Sequence, residues 1–219
     1  NPSGTAPTPR AGAHPFYDSG SNRLVIYGGA NGDPSTTLRD LWVLTNANGL
    51  GGTPQWIKLL NDAPMSFRYA ENSIYDPRSK RAIYHGGIAW PGSAGLSDTW
   101  ILLNADGTTG TPRWVQSAPT GSPIPGRITG AVGLANDRWI IATGYTGTLL
   151  NDVWVLTNAT GQNMGDGQGQ GTILNDDTLG TSAATQLTPT GPSPLPRWGH
   201  SAMLDSANDR MIANLSIIF

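Results

Sequence analysis

The sequence predicts an all-β protein built from repeated units of short strands, and three observations support this fold class. The 219 residues include 29 Gly and 17 Pro, a composition that disfavours long helices. Glu71 is the only Glu beside fourteen Asp, and Asp favours turns whereas Glu favours helices. Related segments return at intervals of 54 to 70 residues, and internal periods of this kind are typical of repeat architectures.

Each unit combines several segments in a fixed order. The unit opens on an Arg-bearing segment, with the arginines at Arg10, Arg68, Arg127 and Arg197. An apolar segment follows, as in "NRLVIYGG" from Asn22 and "KRAIYHGG" from Lys80. An Asp-x-Trp segment comes next, with the pairs Asp40 and Trp42, Asp98 and Trp100, and Asp152 and Trp154. A final Trp closes the first two units, at Trp56 and Trp114.

These segments predict four strands in each unit, separated by turn residues. For the first unit we expect strands at about 12–18, 23–29, 40–46 and 55–60. The second strand is apolar with almost no alternation from Leu24 to Tyr27, which predicts a strand covered on both faces. Four-stranded sheets that stack face on face around an axis satisfy this pattern.

The order of Arg, Gly-His, apolar strand, Gly-Gly, Asp-x-Trp and final Trp resembles the kelch repeat of β-propellers. The matching residues of the first unit are Arg10, His14, Gly28, Gly29, Asp40, Trp42 and Trp56. The resemblance implies a kelch-type β-propeller or partial propeller of about three four-stranded blades plus half a blade. It also implies that the Arg-bearing segment is innermost and that the final Trp strand is outermost.

The whole chain, 1–219, reads as a single kelch-like array. Its units span about 8–60, 64–118, 123–190 and 195–219, and the last is incomplete. The third unit carries a Gly- and Asp-rich insertion at 161–182, after which Ala184 or Thr185 stands where the final Trp is expected. Three and a half blades do not close the usual ring of six or seven. A fragment, completion by neighbouring copies and an open stack all remain as alternatives.

The insertion offers a candidate metal site. Its segment "GDGQGQGTILNDD", within 163–177, resembles the closing strand of Calx-β-like modules in large bacterial surface proteins. Ca²⁺ takes several oxygen ligands on a flexible loop. The candidate ligands are Asp166, Asn175, Asp176 and Asp177. A solvated loop without metal is the alternative interpretation, and calcium is the only cofactor the sequence suggests.

Two aromatic residues in expected loops are candidate ligand-binding positions. Trp90, beside Pro91, has no core role in the repeat, and Tyr145 stands in "TGYTGTLL". Such rings offer a flat apolar platform for a sugar or a partner surface, although Trp90 folded over its own loop is the alternative. Asn158 and Asn214 each begin an Asn-x-Ser/Thr triplet and are candidate glycosylation sites.

Catalytic chemistry has no visible carrier in the sequence. The arginines occupy equivalent repeat positions, so a role in tying strands together explains them better than a sialidase-like arginine cluster does. The absence of Cys excludes thiolate chemistry and the Tyr–Cys cofactor that an oxidase of the galactose oxidase type requires. His85 is expected to be a packed or hydrogen-bonded residue. We therefore predict no catalytic residues and no enzyme activity.

Composition narrows the expected partners and location. The net charge of −2 gives no footprint for nucleic acid, and no apolar run reaches the roughly 20 residues of a membrane helix. Low charge, much Thr, Asn and Gly, and no Cys favour an extracellular or cell-surface protein. We expect a structural or assembly module that binds protein partners, mainly other copies of itself, through unpaired terminal strands. A carbohydrate-binding or adhesin segment of a larger surface protein is the alternative, and a sialidase-like or oxidase-like enzyme is a third.

Overall fold

A computed structural model confirms the all-β prediction. It describes residues 1–32, 37–66, 68–69, 71–89, 94–128, 130–135, 138–157, 183–187, 202–205 and 210–213. Every regular element in these ranges is a strand. The strands are β1 (His14–Asp18), β2 (Arg23–Tyr27), β3 (Leu41–Thr45), β4 (Gln55–Leu60), β5 (Arg68–Tyr69), β6 (Asn72–Asp76), β7 (Arg81–His85), β8 (Ile88–Ala89), β9 (Thr99–Leu103), β10 (Arg113–Ser117), β11 (Thr120–Gly121), β12 (Ala131–Ala135), β13 (Arg138–Tyr145), β14 (Leu149–Thr157), β15 (Ala183–Leu187), β16 (Ala202–Asp205) and β17 (Arg210–Ala213).

The first sheet contains the four strands expected of the first unit, in the order β1-β2-β3-β4. All its neighbouring strands are antiparallel, and each strand lies within the segment that the sequence predicts. The second sheet repeats this arrangement with β6, β7, β9 and β10. A short pairing of β5 with β8 joins the Arg-bearing segment of the second unit to the chain just after Gly87.

The third sheet keeps the same four-strand core and adds a fifth strand. Its order is β11-β15-β14-β13-β12, and β11 pairs with β15 in parallel. Ala184 lies opposite Leu156, as Trp114 lies opposite Leu102 and Trp56 opposite Leu44. The register therefore confirms that Ala184 replaces the final Trp.

Parallel pairing at the outer edge of a sheet was not predicted. Thr120 pairs with Ala183, and Ser3 makes the equivalent bridge to Gln55 of the first sheet. Ser3 accepts a hydrogen bond from Trp56 N at 3.0 Å and donates one to Pro54 O at 2.8 Å. Ser3 and Thr120 each lie seven residues before the arginine that opens their unit. The segment before each of these arginines thus covers part of its own sheet's outer edge.

The expected loop at Tyr145 is a hairpin instead. β13 and β14 are longer than their counterparts because pairing resumes after an irregularity between Ala142 and Gly144, where Thr143 has a φ of 60°. Tyr145 pairs with Leu149 and exchanges backbone hydrogen bonds with Ile128. The prediction that Tyr145 lies in a loop was wrong, because this unit extends its strands where the first two units have long connections.

Successive sheets stack so that their first strands meet. β1 contacts β6, β6 contacts β12, and β12 contacts β16, which pairs with β17. One apolar core lies between the first and second sheets, around Val25, Tyr84 and Leu102. A second core lies between the second and third sheets, around Ile83, Trp139 and Leu156. No described sheet closes on itself.

The prediction of a second strand covered on both faces holds for the second sheet. In the first sheet only one face of that strand is buried. In β7 the four residues from Ala82 to His85 are all buried. In β2, Val25 and Tyr27 are buried, whereas Leu24 and Ile26 on the opposite face are half-buried. The second sheet has a neighbour on each side, but the described first sheet has one on one side only.

Candidate functional site

An Arg–Asp–Trp group recurs in each of the three main sheets. In the first sheet, Arg10 Nη1 donates to Asp40 Oδ1 at 2.6 Å and Nη2 donates to Oδ2 at 3.2 Å. Arg10 Nη1 also donates to the Gly28 carbonyl at 2.8 Å. The indole Nε1 of Trp42 donates to Asp40 Oδ2 at 2.6 Å. The Asp carboxylate is therefore held by two donors, one from the segment before β1 and one from β3.

The second and third sheets reproduce the same contacts. Arg68 Nη1 and Nη2 donate to Asp98 Oδ1 and Oδ2 at 2.5 and 2.9 Å. Trp100 Nε1 donates to Asp98 Oδ2 at 2.7 Å. Arg127 meets Asp152 at 2.8 and 2.9 Å, and Trp154 meets that carboxylate at 2.7 Å. In both sheets the arginine also donates to the carbonyl that corresponds to Gly28, at Gly86 and Thr143.

These groups are buried and electrostatically matched. The three arginine side chains are at most 5% exposed. Burial would raise the pKa of each Asp, but the hydrogen bonds from Arg and Trp and the guanidinium charge together lower it below its ordinary value. The arginines are thus engaged by protein groups. This confirms their structural role at Arg10, Arg68 and Arg127, while Arg197 lies outside the described residues.

His85 is a neutral, fully buried residue that ties the second unit to the third. Its Nδ1 lies 3.0 Å from the Thr99 hydroxyl and its Nε2 lies 3.3 Å from the Pro125 carbonyl. A carbonyl only accepts, so Nε2 carries the proton and Nδ1 accepts from Thr99. Burial lowers the pKa of His85 to about 4, despite the opposing hydrogen bond to Pro125. The prediction that His85 is a packed or hydrogen-bonded residue is confirmed.

The only Glu of the chain lies between the first strands of the first and second sheets. Glu71 Oε1 is 2.7 Å from His14 Nε2, an ion-pair distance without the alignment of a directed hydrogen bond. The carboxylate is 0% exposed. At the equivalent place between the second and third sheets, Asn72 Oδ1 accepts from Gly130 N at 2.5 Å. The first junction is therefore the one that uses ionisable groups.

A third polar group joins the first two sheets at the opposite end of their strands. Lys80 Nζ donates to Asp18 Oδ2 and lies 3.4 Å from Asp106 Oδ2. Both carboxylates are 0% exposed. Ser21 Oγ lies 2.8 Å from Asp18 and 3.3 Å from Asp106, and Arg23 donates to the Asp106 carbonyl at 2.8 Å. We call these residues the lysine cluster.

The sequence did not reveal the lysine cluster. Its hydrogen-bonded members are separated by up to 85 residues along the chain, and only the stacking of two sheets brings them together. A signal did exist in retrospect. The third unit has Asp137 where the second has Lys80, so the lysine breaks the repeat at a position next to a shared arginine.

The ligand candidates are only partly placed by the structure. Tyr145 is 39% exposed, at the end of β13. Trp90, the calcium candidates Asp166, Asn175, Asp176 and Asp177, and the sequon residues Asn158 and Asn214 lie outside the described residues. Within the described ranges, no three His, Asp or Glu side chains form a metal-ligand set.

Two small clefts lie along the sheets. One, of about 150 Å³, lies between the first strands of the first two sheets and is lined by His14, Phe16, Tyr75 and Tyr84. The other, of about 120 Å³, lies beside Asp98 and Ile124. Pockets for drug-sized ligands occupy roughly 300 Å³ or more, so neither cleft suits a sugar ring enclosed on all sides.

The fold and these groups define an all-β repeat protein whose polar residues hold its sheets together. No protein-family model and no curated protein matches the chain. In the part of the chain that the structure describes, no helix has the length and apolar character needed to cross a bilayer.

Proposed function

We propose that the chain is a partial kelch-type β-propeller that acts as a non-enzymatic assembly module outside the cell. One observation carries the proposal: each later sheet buries the same apolar face against the sheet before it, and the first sheet leaves that face without a described neighbour. A stack of this kind is completed by another sheet of the same type.

The propeller geometry is supported by two features. The first strands of consecutive sheets contact one another, as expected of strands that line a common axis. The final strands of the first two sheets, with Trp56 and Trp114, lie at the opposite edges. The repeated Arg–Asp–Trp groups fix each Arg-bearing segment to its sheet.

The non-enzymatic part of the proposal is supported by the polar residues that resemble catalytic groups, because each is bonded to other protein groups. The arginines are paired with Asp, His85 is neutral and hydrogen-bonded at both ring nitrogens, and Lys80 is held between two carboxylates. The proposed location rests on composition alone, namely low charge, abundant Gly and no Cys.

The assembly function is tested by size-exclusion chromatography with light scattering on the purified chain, followed by electron microscopy. We expect oligomers, rings or filaments whose proportion rises with protein concentration. A single monomeric species from micromolar to near-millimolar concentration would contradict the proposal.

Carbohydrate binding is a second candidate because Tyr145 is exposed on a hairpin held at both strands. A glycan array with the native chain and Tyr145→Ala tests it. Binding that the variant loses would favour this function, and an array without signal would remove it.

A further inference from the structure

The turn between β3 and β4 contains an Asn–Gly pair, Asn48–Gly49. In such a pair the glycine nitrogen can attack the asparagine side-chain amide, because glycine carries no side chain that blocks the approach. Both residues are exposed, and a Cβ added at Gly49 would have no atom within 4 Å. The reacting groups are therefore accessible in the folded chain.

Hydrogen bonds fix the orientation of the Asn48 side chain. Leu50 N donates to Asn48 Oδ1 at 2.8 Å, and this bond closes a ring that also contains Gly49 N. The side chain is thus folded forward over the peptide bond that would react. A backbone N–H only donates, so the oxygen of the Asn48 amide faces Leu50 and the amide nitrogen is the group that can leave.

Asn22 supplies a second donor to the same oxygen. Its Nδ2 donates to Asn48 Oδ1 at 2.7 Å, while its Oδ1 accepts from Asn48 N at 3.0 Å. Attack on the Asn48 amide carbon places negative charge on Oδ1, and donors already aimed at that oxygen stabilise the charge. The two N–H groups are therefore placed like the donors of an oxyanion hole.

The second unit shows that an aspartate is compatible with this turn. Asp106 occupies the position of Asn48, and Thr108 N donates to Asp106 Oδ1 at 3.1 Å. Gly107 has a φ of 70° where Gly49 has one of 75°. In both turns the glycine N donates at 2.9 Å to the carbonyl of the asparagine three residues earlier. The aspartate product of deamidation therefore has a template in the same chain.

We propose that Asn48 is a site of spontaneous deamidation in the folded chain. The hydrogen bond from Gly49 N to Asn46 O opens first, at little cost in an exposed turn, and base removes the proton of Gly49 N. The nitrogen then forms a bond to Asn48 Cγ, the Cγ–Nδ2 bond breaks, and ammonia leaves after taking a proton from solvent. Water opens the resulting succinimide to aspartate or isoaspartate, so the net reaction consumes one water and releases one ammonia.

The reaction changes the charge and the backbone of the turn. Aspartate adds one negative charge to a chain whose formal charge is −2 and leaves the main chain unaltered. Isoaspartate inserts one extra carbon into the main chain between β3 and β4. This site is independent of the proposed assembly function.

Incubation of the native chain in warm, mildly alkaline buffer tests the site. Peptide mapping by mass spectrometry follows position 48, and fragmentation that separates aspartate from isoaspartate identifies the products. We expect succinimide and then both acids, at a rate that rises with pH because base removes the proton of Gly49 N. An Asn48 that stays intact in the folded chain, under conditions in which the urea-unfolded chain deamidates there, would overturn the proposal.

Asn22→Asp tests the role of the second donor. Its carboxylate still accepts from Asn48 N and from the Tyr17 hydroxyl, but it lacks the Nδ2 donor that bonds Asn48 Oδ1 and the Leu50 carbonyl. One such donor in a dry active site is worth roughly 10²–10³ in rate, and this turn is exposed, so we expect deamidation to slow by about fivefold or more. Circular dichroism and thermal unfolding establish that the variant folds.

Unfolding in urea provides the matched control. The native chain and Asn22→Asp should deamidate at Asn48 at equal rates in urea, because the donor acts only in the folded turn. An unchanged rate in the folded variant, or a difference that persists in urea, would overturn the activation of Asn48 by Asn22.

Discussion

Arg68 and Asp98, thirty residues apart in sequence, face each other through two parallel hydrogen bonds, Nη1 to Oδ1 at 2.5 Å and Nη2 to Oδ2 at 2.9 Å. Arg68 is 1% exposed, so removing its partner leaves a buried charge. We expect Asp98→Ala to lower the free energy of unfolding by about 3–5 kcal/mol, measured by urea denaturation.

The control for this ion pair is Arg39 and Asp62, which meet at 2.8 Å with side chains 37% and 62% exposed. Asp62→Ala is expected to cost less than about 1 kcal/mol, because solvent screens exposed pairs. Equal losses in the two variants would contradict the structural role of the buried group.

The lysine cluster is expected to stabilise the contact between the first two sheets. Lys80→Met keeps the aliphatic stem but leaves Asp18 and Asp106 without their cation, so we expect a loss of about 3 kcal/mol at pH 7. Arg78→Met is the control, because that guanidinium is 59% exposed and is expected to contribute less than about 1 kcal/mol.

The same cluster predicts a pH dependence. Burial would raise the pKa of Asp18, but the hydrogen bonds from Lys80, Ser21 and Gly20 lower it to about 2, from 3.8. Because the folded pKa is depressed, this stabilisation is present above pH 3.8 and is lost as the pH falls towards 2. The difference in unfolding free energy between the native chain and Lys80→Met should therefore shrink over that range. A constant difference down to pH 2 would argue against the ionic contribution.

His85 predicts a second loss of stability at higher pH. Its pKa falls from 6.5 to about 4 on folding, so the unfolded chain binds the proton more strongly. Stability contributed by the neutral ring is full above pH 6.5 and declines by about 3 kcal/mol as the pH falls to 4. His85→Gln does not titrate, so its unfolding free energy should decline less over this interval. Parallel pH profiles for the two proteins would refute this assignment.

Gly12 and Gly86 have similar φ angles, so alanine substitutions at the two positions distinguish backbone strain from steric crowding. Gly86 has a φ of 73°, and a Cβ there would lie 2.2 Å from the Arg127 carbonyl oxygen. Gly12 has a φ of 65° with no atom within 4 Å of such a Cβ. Gly12→Ala should cost about 1 kcal/mol from backbone strain alone. Gly86→Ala should cost several times more because the backbones of two units meet there, and thermal unfolding of both variants tests the difference.

The sequence by itself determined the strands and the contacts that follow from local repetition. A strand alternates its side chains with a period of two, so apolar runs and turn residues were enough to place β1 to β4. The repeat narrowed the replacement of the final Trp to Ala184 or Thr185, and the strand register selected Ala184. The Arg and Asp-x-Trp positions were recognisable as structural because they recur together in each unit, and the three described groups have the same geometry.

The tertiary structure decided which faces are covered and which distant residues meet. Leu24 and Ala82 occupy equivalent positions, yet only Ala82 is buried, because among the described residues another sheet covers that face of the second sheet and none covers that face of the first. Lys80 and Asp18 are separated by 62 residues, and no local pattern encodes the stacking that joins them. Burial and inter-sheet contacts depend on how whole sheets pack, so the unequal burial of β2 and β7 and the lysine cluster emerged only from the folded chain.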